Sequence, residues 1–340
     1  MTSRGGLYLL RLFTLLGTGV TLLIAAGVLA ACATDTSFAD SSNSTQTGPV
    51  TTAAATSATS TTQPASTTSI DSEAKVTVVE GEPYRQPNDG DSSTVDIYLT
   101  DTPGRPVVVL LHGFGIAGFA GPASDLAPLA EEIARLGSTV FYFRWHTNGG
   151  FSADSAADLS CIGGFVSARA VEYGSSSEGV VVVGHSMGGE TGSMLALSSF
   201  GLAPAADCVE TGDGPTPYAF LGIGGSYGLI AQPMDDGREN ASTETVLPGL
   251  TALQAYGLDG YSALPSTNPL RMVLLVGSND QYPVSNASIT ATFAEALKTH
   301  GTDVEVVEIP DANHEQVVNP DIDAGQATLQ VISDILDNAP

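Results

Sequence analysis

Basic residues are scarce in this chain: 11 Lys and Arg stand against 37 Asp and Glu, a formal net charge of −26. Phosphate backbones are held by clustered cations, so no nucleic-acid partner is expected. Cysteine is equally sparse, at three residues, and none stands in a Cys–His grouping. That argues against a metal centre and against thiol catalysis. Only five histidines are present, so any chemistry that needs an imidazole has few candidates. No internal repeat is found, which removes solenoids and propellers. Hydrophobic residues make up 42% of the chain, enough for a substantial core. The acidity bears on solubility and carries no information on fold.

Residues 1–32 read as an export signal, with Arg4 and Arg11 ahead of an uncharged apolar stretch from Leu12 to Ala31. The stretch ends in Leu29-Ala30-Ala31-Cys32, which resembles the lipobox of bacterial lipoproteins. That resemblance implies acylation of Cys32 as the mature N-terminus and attachment to a membrane through the lipid. An ordinary signal peptide or an uncleaved anchor is the alternative, because the stretch approaches the ~20 residues that span a bilayer. In each case the folded part is expected outside the cytoplasmic membrane. Residues 33–72 are mostly Ser, Thr, Ala, Gln and Pro and cannot bury enough surface to offset their ordering entropy. They read as a flexible tether spanning roughly 35 Å. Residues 73–340 then suit one α/β domain.

In that domain β-rich runs alternate with helical ones. Val76–Val79 and Thr94–Leu99 read as an opening antiparallel pair. Val107–Leu111, Thr139–Phe143, Val180–Val183, Tyr218–Ile223, Met272–Val276 and Val304–Ile309 read as further strands, several apolar throughout and hence buried on both faces. Helical stretches are expected over Asp125–Leu136, Ala156–Tyr173, Glu190–Phe200, Ile289–His300 and Ala324–Leu336. Strands separated by helices imply a mostly parallel eight-stranded sheet with helices on both faces.

One hexapeptide organises the rest: Gly184-His185-Ser186-Met187-Gly188-Gly189, between the run Val180–Val183 and the helical stretch from Glu190. Strand, Gly-x-Ser-x-Gly turn and helix make a nucleophile elbow, where small residues let strand and helix approach while the serine oxygen stands clear. Gly224-Gly225-Ser226-Tyr227-Gly228 has the same pattern, but Pro233 soon after it forbids a long helix. Ser186 is therefore the candidate nucleophile. A serine needs a base within reach. His112 and His185 sit inside other motifs, His146 follows a strand, and His300 closes a helix. His314 stands just after the last strand in Asp311-Ala312-Asn313-His314-Glu315, and is the expected base. Asp280, in the loop after Met272–Val276, is expected to hold its imidazole. Asp311 competes but is more plausible as a turn residue, and Asp303, Asp321 and Asp323 read as caps or solvated charges.

Over residues 74–338 this arrangement resembles the α/β-hydrolase fold, and the Leu111-His112-Gly113-Phe114-Gly115 loop resembles that of esterases and lipases. The resemblance implies an oxyanion hole made by the N–H groups of Phe114 and Met187. It implies a serine hydrolase that cleaves carboxylic esters, small or polymeric, through an acyl-enzyme, without metal or cofactor. An envelope acyltransferase, an amidase or peptidase, and a catalytically idle binding module of the same fold are the alternatives. Cys161 and Cys208, left over after Cys32, are expected to form a disulfide in an exported protein. The Asp158-Leu159-Ser160-Cys161 stretch resembles exported bacterial esterases of this fold. An insertion between Gly224 and Asn268 is expected over the strand ends, leaving a cleft lined by Phe114, Met187, Trp145, Tyr227 and Tyr282.

Overall fold

Val-rich runs that are apolar at every position have only one stable placement, in a sheet covered on both faces. The computed structural model describes residues 74–86, 93–113, 125–146, 153–176, 178–202, 204–227, 270–282, 285–299 and 301–339. The signal and linker segments with Cys32, the oxyanion candidate Phe114, and the insertion beyond Tyr227 lie outside these residues. The strands are β1 (Val76–Pro83), β2 (Thr94–Thr100), β3 (Val108–Leu111), β4 (Val140–Arg144), β5 (Glu178–His185), β6 (Thr216–Ile223), β7 (Arg271–Gly277) and β8 (Asp303–Ile309). The helices are α1 (Ala127–Arg135), α2 (Ala153–Glu172), α3 (Met187–Leu197), α4 (Ala287–Thr299) and α5 (Asp323–Asp337).

The eight strands form one sheet in the order β1-β2-β4-β3-β5-β6-β7-β8. β1 with β2 and β2 with β4 are antiparallel, and all other neighbours are parallel. Side chains alternate between two cores. Val108, Leu110, Val181, Val183 and Tyr142 pack with α1 and α5 on one face. Val109, Leu111, Val182, Phe141 and Phe143 pack with α2, α3 and α4 on the other. The chain leaves β3 for β4 on one side, then crosses back to lay β5 on the other. Strand order reverses at β3, and in such sheets the crevice at the carboxyl ends of the strands beside the reversal is the usual ligand position.

At that crevice α3 begins at Met187, three residues earlier than the sequence pattern implies. A helix start through Gly188 and Gly189 is intrinsically poor, and packing decides it instead. A Cβ on Gly188 would lie 2.2 Å from the carbonyl oxygen of Leu111, and one on Gly184 would lie 2.0 Å from that of Gly188. Only glycine permits strand and helix to cross this closely.

At the far edge, buried charge fixes the end of β1. Asp158 on α2 is fully buried and accepts from Arg85 Nη1 at 2.7 Å, Ser93 Oγ at 2.6 Å, and the N and Nδ1 of His146 at 2.6 and 2.7 Å. Arg85 also donates to Asp207 Oδ2 at 2.6 Å. Beside Asp207, Cys208 is joined to Cys161 of α2, with Cα atoms 5.2 Å apart. Closing a loop with a sequence separation of 47 is worth up to roughly 4 kcal/mol in the chain-entropy account.

One turn after the elbow, at the start of α3, Glu190 is half-buried, with Oε2 of its carboxyl out of contact with water. Burial pushes it up to about 8, although a helix N-terminus by itself favours a carboxylate. A carboxyl raised in the folded state is protonated there while the unfolded chain has already ionised. Its contribution to stability is therefore complete in acid and is lost as pH climbs through its folded value. The melting temperature of the wild type is expected to fall between pH 5 and pH 8.5. Glu190→Gln should flatten that fall in thermal melts across the range, and parallel curves for the two proteins would contradict the assignment.

Candidate active site

Ser186 lies between β5 and α3 with φ 56° and ψ −121°, a conformation that costs a non-glycine residue about 1–3 kcal/mol. Backbone bonds hold it there. Its N–H donates to Ile223 O at 2.9 Å, and its carbonyl accepts from Gly189, Glu190 and Ser226 at 3.0, 3.3 and 3.0 Å. The second Gly-x-Ser-x-Gly pattern is thereby explained. Ser226 is buried, and its main chain clamps the elbow of Ser186. The hydroxyl of Ser186 itself makes no hydrogen bond among the described residues.

Asp280 and His314 come from the loops after β7 and β8, and both are buried. The His314 Nδ1–H donates to Asp280 Oδ2 at 2.7 Å, which leaves Nε2 as the basic nitrogen of the neutral ring. The two loops are also tied through their main chains, with Asn279 N donating to Ala312 O at 2.8 Å and Asp311 N to Ser278 Oγ at 2.8 Å. Asp311 is an exposed turn residue with φ 58°. Gly224, at φ 51°, joins the two halves of the site. A Cβ there would lie 3.0 Å from His314 Nδ1 and 3.3 Å from Asp280 Oδ2. Its neighbours Ile223 and Ser226 are bonded to the main chain of Ser186. Serine, acid and imidazole thus gather around one residue of β6's trailing turn.

Three contributors are not marked by the sequence reading. Gly224 is one. Ser285 is fully buried, and its hydroxyl donates to Asp280 Oδ2 at 3.2 Å and Oδ1 at 3.4 Å. The N–H of Tyr282 adds a bond to Oδ1 at 3.0 Å. His185 donates through Nε2–H to the carbonyl of His314 at 3.0 Å. Burial, with His314 nearby, drives the His185 imidazole down to about 3, so this ring stays neutral and structural over the working pH range. Its place inside the elbow motif was the only sequence signal it carried. Ser285 stands in a loop with no pattern at all.

On the oxyanion side, the N–H of Met187 has no intrahelical acceptor and bonds to no described backbone group. The loop after β3 presses on Ser186, since a Cβ on Gly113 would lie 2.6 Å from Ser186 Cβ and 3.3 Å from Oγ. His112 Nδ1–H donates to Gly113 O at 2.6 Å, and Trp145 Nε1–H to His112 O at 3.2 Å. Two expected cleft residues are corrected. Trp145 is 3% exposed and braces the His112 main chain from the core. Tyr227 is 0% exposed and stacks on Phe293 with ring centroids 4.3 Å apart. Aromatic area is stabilising in a core, and turn composition alone does not tell a lining ring from a packed one. Tyr282 is 37% exposed, with its ring 4.7 Å from that of His314.

Known proteins share this architecture. A search of curated protein sequences found no match. Among solved structures, an esterase of Thermogutta terrifontis with butyrate bound is 20% identical with a TM-score of 0.57, covering 78% of this chain and 93% of that one. Esterase B of Lactobacillus rhamnosis is 14% identical with a TM-score of 0.57, covering 76% and 86%. An acetyl ester-xyloside bifunctional hydrolase of Caldicellulosiruptor lactoaceticus is 16% identical with a TM-score of 0.54, covering 73% and 88%. At such identities the likeness concerns the fold alone. The family description "Alpha/beta hydrolase family" matches residues 108–329, from β3 into α5, and the chain belongs to that family.

Proposed function

We propose that this protein is a serine hydrolase of carboxylic esters. The observation that carries the reading is the convergence on Gly224 of the strained Ser186 elbow and the 2.7 Å Asp280–His314 pair. In the proposed reaction His314 Nε2 takes the proton of Ser186 as Oγ bonds to the ester carbonyl carbon. The N–H of Met187 receives the developing oxyanion, with that of Phe114 as its partner. The imidazolium then passes its proton to the alcohol oxygen as the carbon–oxygen bond breaks, leaving an acyl-serine. Water, deprotonated by the same nitrogen, releases the acid and restores the hydroxyl. Asp280 keeps the Nδ1–H tautomer throughout. The esterases among the structural neighbours support this choice over amide cleavage, although they share only the fold.

We propose in addition that residues 1–32 direct export and that Cys32 carries a lipid anchor, a reading supported by the lipobox-like Leu29-Ala30-Ala31-Cys32 and by a disulfide suited to an oxidising compartment.

A panel of 4-nitrophenyl esters of rising acyl length tests the first reading: Ser186→Ala is expected to lose at least about 10⁴-fold in kcat, and undiminished turnover would remove Ser186 as nucleophile. Ser285→Ala withdraws one donor from a buried carboxylate and should lower kcat roughly tenfold while KM stays within about twofold; steady-state kinetics showing no loss, or an equal loss in affinity, would deny it a positioning role. For the anchor, Cys32→Ala should move the protein from the membrane fraction to the soluble one, and continued sedimentation with membranes would exclude lipidation.

A further inference from the structure

A cavity of about 790 Å³ has His314 and Tyr282 in its wall. Its size falls in the roughly 300–1,000 Å³ class of small-molecule sites. Its lining does not fit a hydrocarbon. Apart from the Tyr282 ring, the described wall is made of carboxamides and carboxylates around the histidine.

The orientation of two carboxamides is fixed by the main chain. Asn313 Oδ1 accepts from the N–H groups of Glu315 and Gln316 at 3.1 and 3.0 Å, and Gln316 Oε1 accepts from Asn313 N at 2.9 Å. With their oxygens engaged, both side chains keep their NH₂ groups for a ligand. Asn279 and Gln281 are exposed, and their side chains make no hydrogen bond among the described residues. Each offers the cavity one acceptor and two donors. Asp311 adds an acceptor that repels anions.

The side of the catalytic centre follows from the chemistry. The leaving oxygen collects its proton from His314, so the alcohol half of an ester must stand beside the imidazole. The acyl carbonyl points to Met187 N instead. His314 is among the described residues of this wall and Met187 is not, which makes the cavity the candidate for the alcohol half. We infer that the alcohol it accepts is a neutral polyhydroxylated ring of sugar type. Hydroxyl groups both donate and accept, and so match the mixed carboxamide and carboxylate wall. The apolar face of a sugar ring suits the half-exposed Tyr282. An alkyl alcohol would desolvate these polar groups without replacing their bonds. A phosphorylated or sulfated alcohol would meet Asp311 and Glu315 in a protein of net charge −26.

This inference rests on the ester-hydrolase reading, and three acetates with a common acyl group separate the two: 4-nitrophenyl acetate, butyl acetate and a monoacetylated methyl glycoside. The wild type is expected to favour the glycoside over butyl acetate at least about tenfold in kcat/KM. Asn279→Ala/Gln281→Ala should reduce that preference roughly five- to tenfold, chiefly through the KM of the glycoside, with circular dichroism showing an intact fold. Equal use of butyl and glycosyl acetates, an unchanged ratio in the variant, or preference for choline acetate would each overturn the sugar assignment while Ser186-dependent turnover of the nitrophenyl ester continued. Absence of Ser186-dependent turnover on all three would overturn the ester reading and this inference with it.

Discussion

The rim of the sheet depends on how closely α3 crosses β3 and β5. With glycine at 184 and 188, backbone meets backbone, and the first turn of the helix rests against the carbonyl oxygen of Leu111. This contact fixes the start of the helix at Met187, the residue after Ser186. It also places the turn after β3 directly against the serine, with no room at Gly113 for a side chain. The positive φ of Ser186 follows from the same crossing. A reversal within one residue is strained, and it persists because the bonds to Ile223, Gly189, Glu190 and Ser226 over-determine it.

The acid–imidazole pair is held by a different device. The loops after β7 and β8 are bound to each other through Asn279, Ala312, Ser278 and Asp311, and then to the elbow through the bond from His185 to the carbonyl of His314. Two rigid units, one carrying the serine and one carrying the imidazole, meet across Gly224. Precise placement across separate loops is what a near-attack geometry requires. Neither unit relies on exposed, freely rotating side chains to provide it.

Much of this was legible in the sequence, for reasons that differ by element. Strands β3 and β5 to β7 announce themselves because burial on both faces leaves no polar position to confuse the pattern. Ser186, Asp280 and His314 are placed by chain order, since each ends a strand at the same edge of the sheet. Tertiary partners are another matter. Nothing in a local pattern tells that Tyr227 turns inward onto Phe293, that Trp145 props the His112 carbonyl, or that Ser285 reaches back to Asp280. The two Gly-x-Ser-x-Gly patterns need their glycines for different reasons: at Gly184 and Gly188 backbones touch, whereas a Cβ at Gly224 would meet the His314 ring and one at Gly225 the Tyr227 ring. Only packing distinguishes the clamp from the elbow.

Among the described residues two histidine–carboxylate pairs have equal length, and their surroundings differ. His146 Nδ1 and His314 Nδ1 each lie 2.7 Å from a fully buried carboxylate. Asp158 also faces the guanidinium of Arg85 at 2.7 Å, with Ser93 and the N–H of His146 completing its shell. A carboxylate already balanced by a buried cation has little charge left for a second positive group, so this pair serves the join of β1, α2 and the disulfide loop. Asp280 receives, among the described residues, only neutral donors: the N–H of Tyr282, the hydroxyl of Ser285 and the imidazole itself. No cation is among them, and a carboxylate without one is what the proposed general-base role of His314 calls for. The pair meets, at Gly224, the turn that binds the main chain of Ser186.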